Sequence, residues 1–163
     1  MKTLILVRHA KSDWNDPFLS DFERTLNSRG MQDAPEMAKR FMNRGVMPEL
    51  IITSPAVRAL TTCKVFAEAI EYDVDKIQSE QSIYDSGAKE IMEIISNLDD
   101  NLDTVMFFGH NPAISNLATY LSSIHFGEVP TCSVICIEFQ INKWNEIIKK
   151  TGKLNFFDYP KSK

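Results

Sequence analysis

The feature that most constrains the fold of this chain is a short apolar run, Thr3 to Val7, that ends abruptly at Arg8-His9. A continuous apolar run of this length, bounded by polar residues, is typical of a strand that is buried on both faces of a parallel sheet. Ligands of open α/β sheets bind beyond the carboxyl ends of such strands. The run therefore predicts an α/β fold in which Arg8 and His9 stand at the ligand-binding edge.

Two later strands are predicted to end in side chains of similar chemistry. They are Glu49 to Thr53, followed by Ser54-Pro55 with Arg58 one helical turn further on, and Thr104 to Phe108, followed by Gly109-His110-Asn111-Pro112. Ser54 is predicted to cap a helix that has Pro55 in its first turn. Parallel strands joined by right-handed crossovers have their carboxyl ends at one edge of the sheet. We therefore expect the two arginines and two histidines of these strand ends to meet at that edge.

The rest of the sequence predicts further elements around this sheet. Apolar residues recur at helical spacing after each of the three strands, whereas Lys76 to Gln81 is a weak strand candidate and Ser82 to Gly87 a loop. Cys132 to Ile141 and Leu154 to Tyr159 predict two more strands, and we expect them to pair antiparallel because no helix long enough for a crossover lies between them. The length of 163 residues and the hydrophobic content of 44% indicate a single domain over residues 1–163.

Composition and charge narrow the class of partner. The formal net charge is -4 and no basic run precedes the tail Lys161-Ser162-Lys163, which disfavours nucleic-acid binding. The first apolar run is too short for a signal peptide or a membrane helix, so no membrane contact is expected. The three cysteines have no CxxC spacing and fit buried thiols in a reducing cytoplasm. Cys132 and Cys136 are predicted to lie on one face of the same strand, as part of the core. We expect a cytoplasmic protein, and a monomer, although no sequence feature fixes the oligomeric state.

The residues predicted to converge suit a phosphate-like anion. Arginine guanidinium groups match phosphoryl oxygens bidentately, and helices that begin after the strands add amide donors. A neutral histidine is a nucleophile and a protonated one a charged donor, and the neighbouring Arg8 favours the neutral form of His9. The remaining candidates are interpreted as ordinary polar, solvated or salt-bridged residues: His125, Arg24, Arg29, Arg40 and Arg44.

Three motifs in this order resemble the histidine phosphatase superfamily, which has the phosphoglycerate-mutase-like fold. They are LVRHAKS, SPAVRALTT and FFGHNP, and the resemblance extends from Leu4 to about Phe139. The short chain and the segments Lys11-Ser12-x-Trp14 and Asp21-x-Glu23-Arg24-x-Leu26 resemble the SixA-type branch, the phosphohistidine phosphatases. The resemblance implies a three-layer α/β/α sandwich. Its sheet would be mostly parallel and mixed, with about six strands, one of them antiparallel.

The resemblance also implies a role for each matching residue. His9 would be the nucleophile and would carry a transient phosphoryl group, which water would then remove. Arg8, Arg58 and His110 would hold the phosphoryl oxygens. No metal or other cofactor is used in this family.

Two positions depart from the family pattern. Ala10 stands where a glycine usually follows the nucleophile, so the loop must adopt backbone angles that alanine tolerates. Many members use a glutamate as general acid, and Asp85 is the equivalent candidate here; it fits equally well as a loop acid that caps the next helix. An alkoxide leaving group needs a proton donor, whereas imidazole departs more readily.

The main hypothesis is a phosphatase that forms a covalent phosphohistidine and acts on phosphohistidine in a phosphorelay-type protein. The segments between the motifs are short, so little chain is left to build a lid, and an open site suits a protein surface. The alternatives are a phosphatase of small phosphoesters and a catalytically inactive phospho-binding module. A mutase is less favoured because nothing looks like an enclosing segment. A metal-dependent hydrolase, which no spacing motif supports, would need the ligands His9, His110 and Asp13, Asp16 or Asp85.

Overall fold

Six strands form one sheet in the computed structural model, which describes residues 1–162; Lys163, the last residue of the predicted domain, lies outside the described residues. The strands are β1 (Lys2–Arg8), β2 (Leu50–Thr53), β3 (Gln78–Ser79), β4 (Thr104–Gly109), β5 (Val134–Phe139) and β6 (Lys153–Asp158). Their order across the sheet is β3-β2-β4-β1-β5-β6. β1 and β4, the two strands that are each followed by a predicted site histidine, therefore lie side by side at the centre of the sheet.

The sheet is mixed, with one strand running against the others. β1, β2, β3 and β4 pair in parallel, whereas β5 is antiparallel to both β1 and β6. The connection from β5 to β6 contains only a 3₁₀ turn, Trp144–Glu146, which is too short for a parallel crossover. The predicted six-stranded, mostly parallel sheet with one antiparallel strand is confirmed.

Helices cover both faces of the sheet. They are α1 (Ser28–Asn43), α2 (Val57–Ala69), α3 (Gln81–Asp85), α4 (Ala88–Ser96) and α5 (Ala113–Ser122). Alternate residues of β1 face opposite sides: Ile5 and Val7 pack in one apolar cluster with α1 and α2, and Leu4 and Leu6 in a second cluster with α4 and α5. The predicted three-layer α/β/α arrangement is therefore confirmed. Within residues 1–162, no helix is long and apolar enough to cross a membrane.

Three local predictions were wrong. Part of the predicted loop at 82–87 is the short helix α3. Cys132 precedes β5 and has a φ of 60°, so it does not share a strand face with Cys136. Ser54 does not cap α2, which begins at Val57 without a side-chain cap, because its hydroxyl contacts the Ala56 amide and His110 instead.

Candidate active site

The predicted residues converge because of how the central strands are paired. Arg8 lies opposite Gly109 in the β1–β4 register, and the next residue of each chain segment is a histidine. The ring centroids of His9 and His110 are therefore only 5.2 Å apart. β2 lies on the other side of β4, and α2, which follows it, carries Arg58 in its first turn. The structure thus brings the four predicted residues together.

All four residues line one cavity of about 320 Å³, which we call the His9 cavity. Its other lining residues are Lys11, Ser12, Trp14, Arg24, Asn111 and Thr131. Four of the lining side chains are arginine or lysine and none is a carboxylate. This charge is the opposite of the protein's net charge of -4, and it favours an anionic ligand.

His9 is held in the form that a nucleophile needs. Its ring Nδ1 lies 2.7 Å from the Ala10 carbonyl oxygen, which can only accept, so Nδ1 carries the proton and Nε2 keeps its lone pair. Only 7% of the residue is exposed. Burial, with smaller contributions from His110, Arg58 and Arg8, lowers the pKa of His9 to about 3 despite the bond to Ala10. The imidazole is therefore neutral at physiological pH.

His110 is also neutral and has one ring nitrogen without a partner. Its Nε2 lies 2.8 Å from the Ser54 hydroxyl oxygen. Burial, and then the charge of Arg58, lowers the pKa of His110 to about 4. Its Nδ1 is buried and has no hydrogen-bond partner. If the Ser54 hydroxyl donates to Nε2, Nδ1 carries the proton and is a donor without an acceptor.

Both arginines are anchored by their terminal nitrogens and leave Nε unpaired. Arg8 donates from Nη1 to the Val129 carbonyl oxygen at 2.7 Å, and Arg58 donates from Nη1 and Nη2 to the carbonyl and carboxylate of Asp21 at 2.8 and 3.1 Å. The Nε atoms of both residues are buried without a partner. Together with His110 Nδ1, these are the three buried unpaired side-chain polar atoms of residues 1–162. An unpaired buried donor costs about 1–3 kcal/mol, which an anion with several acceptor oxygens would recover.

Comparison with known proteins identifies the family. Residues 4–83 match the family model of the histidine phosphatase superfamily (branch 1). An uncharacterised chloroplastic protein of Arabidopsis thaliana is 30% identical over 159 residues, which cover 93% of this chain and 72% of that protein. The chain belongs to the histidine phosphatase superfamily. A phosphoglycerate mutase of Rhizobium meliloti is 33% identical over 70 residues, but that match covers only 33% of the mutase.

Solved structures described as SixA phosphatases share the fold over nearly the whole of this chain. A protein of Agrobacterium tumefaciens assigned as a phosphohistidine phosphatase SixA has a TM-score of 0.82 at 24% identity, with 98% of both chains covered. The protein histidine phosphatase SixA, solved with tungstate, also has a TM-score of 0.82, at 16% identity and with 97% of both chains covered. The predicted SixA-like fold is confirmed, and membership of the superfamily supports phosphatase activity.

The superfamily's usual glycine is replaced here by Ala10 without backbone strain. Ala10 is fully buried and is not among the residues with a positive φ. Its amide donates to the Thr62 hydroxyl at 3.0 Å while its carbonyl accepts from His9. The loop therefore uses alanine-compatible angles and still orients the nucleophilic ring.

Asp85 is not brought to the His9 cavity. It ends α3, is exposed, and accepts a hydrogen bond from the side-chain amide of Gln81 at 3.3 Å. It does not cap α4 either, because Gly87 and Glu90 form that N-terminus. Its neighbour Tyr84 approaches the site instead, with its ring 5.7 Å from that of His110.

The sequence did not reveal the central role of Asp21. Its carboxylate accepts hydrogen bonds from Arg24 at 3.0 Å, from Tyr84 at 2.8 Å and from Arg58 at 3.1 Å. Burial raises the pKa of Asp21, but these bonds outweigh it and lower the pKa to about 2. The carboxylate is therefore charged and clamps the loop before α1 against the site. The only sequence signal was its position in the Asp21-x-Glu23-Arg24 segment.

Arg24 is salt-bridged, as predicted, but it also belongs to the site. It pairs with Asp21 at 3.0 Å, donates to the Ser12 hydroxyl and lines the His9 cavity. Its guanidinium group lies 3.4 Å from the ring centroid of Trp14, which is 75% exposed. An exposed aromatic ring thus forms part of the rim.

Helix N-termini contribute less than expected. The first amide of α2, that of Val57, donates to the Phe22 carbonyl at 3.0 Å, and the Ile114 amide in α5 donates to the His110 carbonyl at 2.9 Å. These two amides are therefore not free to bind a ligand.

The acids of the metal-site hypothesis are engaged elsewhere. Asp13 and Asp16 each accept a hydrogen bond from a backbone amide two residues on, at 2.7 and 3.0 Å. Across residues 1–162, no three His, Cys, Asp or Glu side chains are grouped as a metal site would require.

Proposed function

We propose that this protein is a phosphatase in which His9 attacks the phosphoryl group and forms a covalent phosphohistidine. The observation that carries the proposal is a neutral, buried His9 with a free Nε2, in a cavity lined by three residues, Arg8, Arg58 and His110, that each have one unpaired buried nitrogen. These are the parts that phosphoryl transfer needs, since it depends mostly on positioning and charge stabilisation.

The mechanism has two steps, transfer of the phosphoryl group to His9 and its hydrolysis by water. The Nε atoms of Arg8 and Arg58, with Nδ1 of His110, donate to the phosphoryl oxygens while Nε2 of His9 forms a bond to phosphorus. The bond from phosphorus to the leaving group breaks, and the leaving group takes a proton from solvent. Water then attacks phosphorus, the bond to His9 breaks, and inorganic phosphate leaves with His9 neutral again.

We further propose that the leaving group is the imidazole of a phosphohistidine in a phosphorylated protein. No carboxylate lines the His9 cavity, and Asp85 is exposed outside it. A leaving group that departs readily suits a site without an adjacent carboxylic acid. The phosphatases named SixA, which share the fold, are consistent with this substrate class.

A trapping experiment tests the covalent step. Purified protein is mixed with a phosphohistidine peptide, a phosphorylated histidine-containing carrier domain or small phosphoesters, quenched during turnover and analysed for acid-labile phosphate on His9. We expect the His9→Asn variant to lose more than about a thousandfold in kcat, because it removes the nucleophile. His125, an exposed histidine away from the site, gives the matched control His125→Asn, which should keep full activity.

Other outcomes of the same experiment select the alternatives. Turnover of small phosphoesters alone would reject the protein substrate, and a His9→Asn variant with unchanged biological activity would indicate a phospho-binding module. We also propose that turnover needs no metal. Activity that is lost in chelator and restored by a divalent cation would reject this metal independence.

We propose that the protein is located in the cytoplasm. All three cysteines are buried free thiols, which suits a reducing compartment. Fractionation of cells that express the tagged protein tests it.

A further inference from the structure

A second cavity, of about 450 Å³, adjoins the His9 cavity. The two share Lys11 and Thr131, which therefore form the boundary between them. The other walls are the first turns of α1 and the segment after β6. A substrate whose phosphoryl group reaches His9 thus lies next to this second cavity.

The second cavity, which we call the basic cavity, is positively charged. Lys11, Arg29 and Lys161 line it, together with a single acid, Asp33. Arg29 pairs with Asp33 at 3.4 Å through Nε, and 52% of its side chain remains exposed. Among residues 1–162, no salt bridge is formed by either lysine. Three cations against one carboxylate leave a surplus of two positive charges on a protein whose net charge is -4.

The walls of the basic cavity are held by specific contacts. The Lys11 carbonyl accepts from the Asn27 amide at 3.0 Å, and Gly30 lets the start of α1 touch that carbonyl, since an added Cβ would collide with it. On the other side, Arg40 donates to the carbonyl oxygens of Tyr159 and Pro160 at 3.1 and 3.0 Å. The backbones that carry Lys11 and Lys161 are thereby fixed on either side of the cavity.

We propose that the basic cavity binds acidic side chains of the phosphorylated protein, close to its phosphohistidine. This inference rests on the proposed function and names the surface that selects the substrate. Its three cations come from three separate chain segments: the loop after β1, the first turn of α1 and the segment after β6. A polypeptide that carries several carboxylates can pair with cations on separate segments, and Tyr159 and Pro160 add apolar contact.

A pair of peptides tests the proposal. Both carry the same phosphohistidine, one flanked by Glu and Asp and the other by Gln and Asn, and phosphoramidate serves as a small substrate without a second anionic group. Each solvent-exposed ion pair contributes at most about fivefold, so we expect kcat/KM to favour the acidic peptide by about fivefold to tenfold. The preference should shrink as salt is added, because exposed charges are screened.

Charge-removing variants locate the effect. The double variant Arg29→Gln/Lys161→Gln should abolish the preference by raising KM for the acidic peptide, and it should leave phosphoramidate turnover unchanged. Lys39→Gln/Lys64→Gln removes the same charge from exposed positions that do not line the basic cavity and should keep the preference. Lys11 is left intact because it also lines the His9 cavity.

The opposite results overturn the proposal. Equal turnover of both peptides by the unaltered protein, or equal slowing of phosphoramidate in the Arg29→Gln/Lys161→Gln variant, would reject it while phosphate trapped on His9 still supports the phosphatase. A small bisphosphate tested as a further substrate gives another contrary result. If the Arg29→Gln/Lys161→Gln variant loses turnover of this bisphosphate alone, the basic cavity binds a small anion and not a protein. If no phosphate is trapped on His9, the proposed function fails separately, and binding of the two peptides to His9→Asn protein measures the basic cavity directly.

Discussion

At the scale of single residues, Asp21 is a positioning residue for two arginines of the site, Arg58 and Arg24. It holds both terminal nitrogens of Arg58 and pairs with Arg24. We expect Asp21→Asn to lower kcat/KM by about tenfold to a hundredfold, because Nη2 of Arg58 loses its charged partner and only the bond from Nη1 to the backbone carbonyl of residue 21 still orients the guanidinium group. Steady-state kinetics with a phosphohistidine peptide measures this change.

A double-mutant cycle separates positioning from general damage to the fold. Arg58→Lys should cost less in the Asp21→Asn background than in the unaltered protein, because the two residues act together. Tyr84→Phe, which removes one of the three donors to the carboxylate, should cost less than Asp21→Asn. Costs of Asp21→Asn and Arg58→Lys that simply add would contradict the proposed link between them.

At the scale of secondary-structure elements, the start of α1 depends on the absence of a side chain at Gly30. Gly→Ala within a helix usually stabilises by up to about 1 kcal/mol. Here the new Cβ would meet the Lys11 carbonyl, which is backbone and has little freedom to move. We therefore expect Gly30→Ala to destabilise the protein by about 1–3 kcal/mol, measured by urea unfolding.

Gly87→Ala is the control, because a Cβ added there would meet only a glutamate oxygen at 3.9 Å. It should change the free energy of unfolding by less than about 1 kcal/mol. Equal effects of the two substitutions would contradict the proposed collision at Gly30.

The elements that the sequence predicts well are those with strong periodic patterns. The apolar runs that became β1, β2 and β4 are continuous, and each is followed by polar residues. Ser54 misled the prediction because serine before proline is typical of a helix start, whereas its hydroxyl is used by His110 from a distant segment. The short helix α3 has only five residues, too few for a helical period to show.

At the scale of the whole molecule, the convergence of the site could be predicted because parallel strand ends share an edge. That rule places Arg8, His9, Arg58 and His110 without any side-chain detail. The hydrogen bonds of Asp21 could not be predicted, since they join a loop to α2 and α3. Their partners, Arg58 and Tyr84, are separated from Asp21 by 37 and 63 positions in the sequence. The basic cavity likewise assembles Lys11 and Lys161 from opposite ends of the chain.

The buried neutral histidines make the stability of the whole molecule depend on pH. His9 and His110 have pKa values of about 3 and about 4, below the value near 6.5 of an unfolded histidine, so between these limits the unfolded state binds more protons. The free energy of unfolding should therefore fall as pH drops from about 6.5 toward 4, by up to about 1.4 kcal/mol per pH unit for each histidine. Urea unfolding from pH 7 to pH 4.5 measures the slope. His9→Asn should reduce it by about half and His125→Asn should not, and an unchanged slope in His9→Asn would show that His9 is not buried in its neutral form.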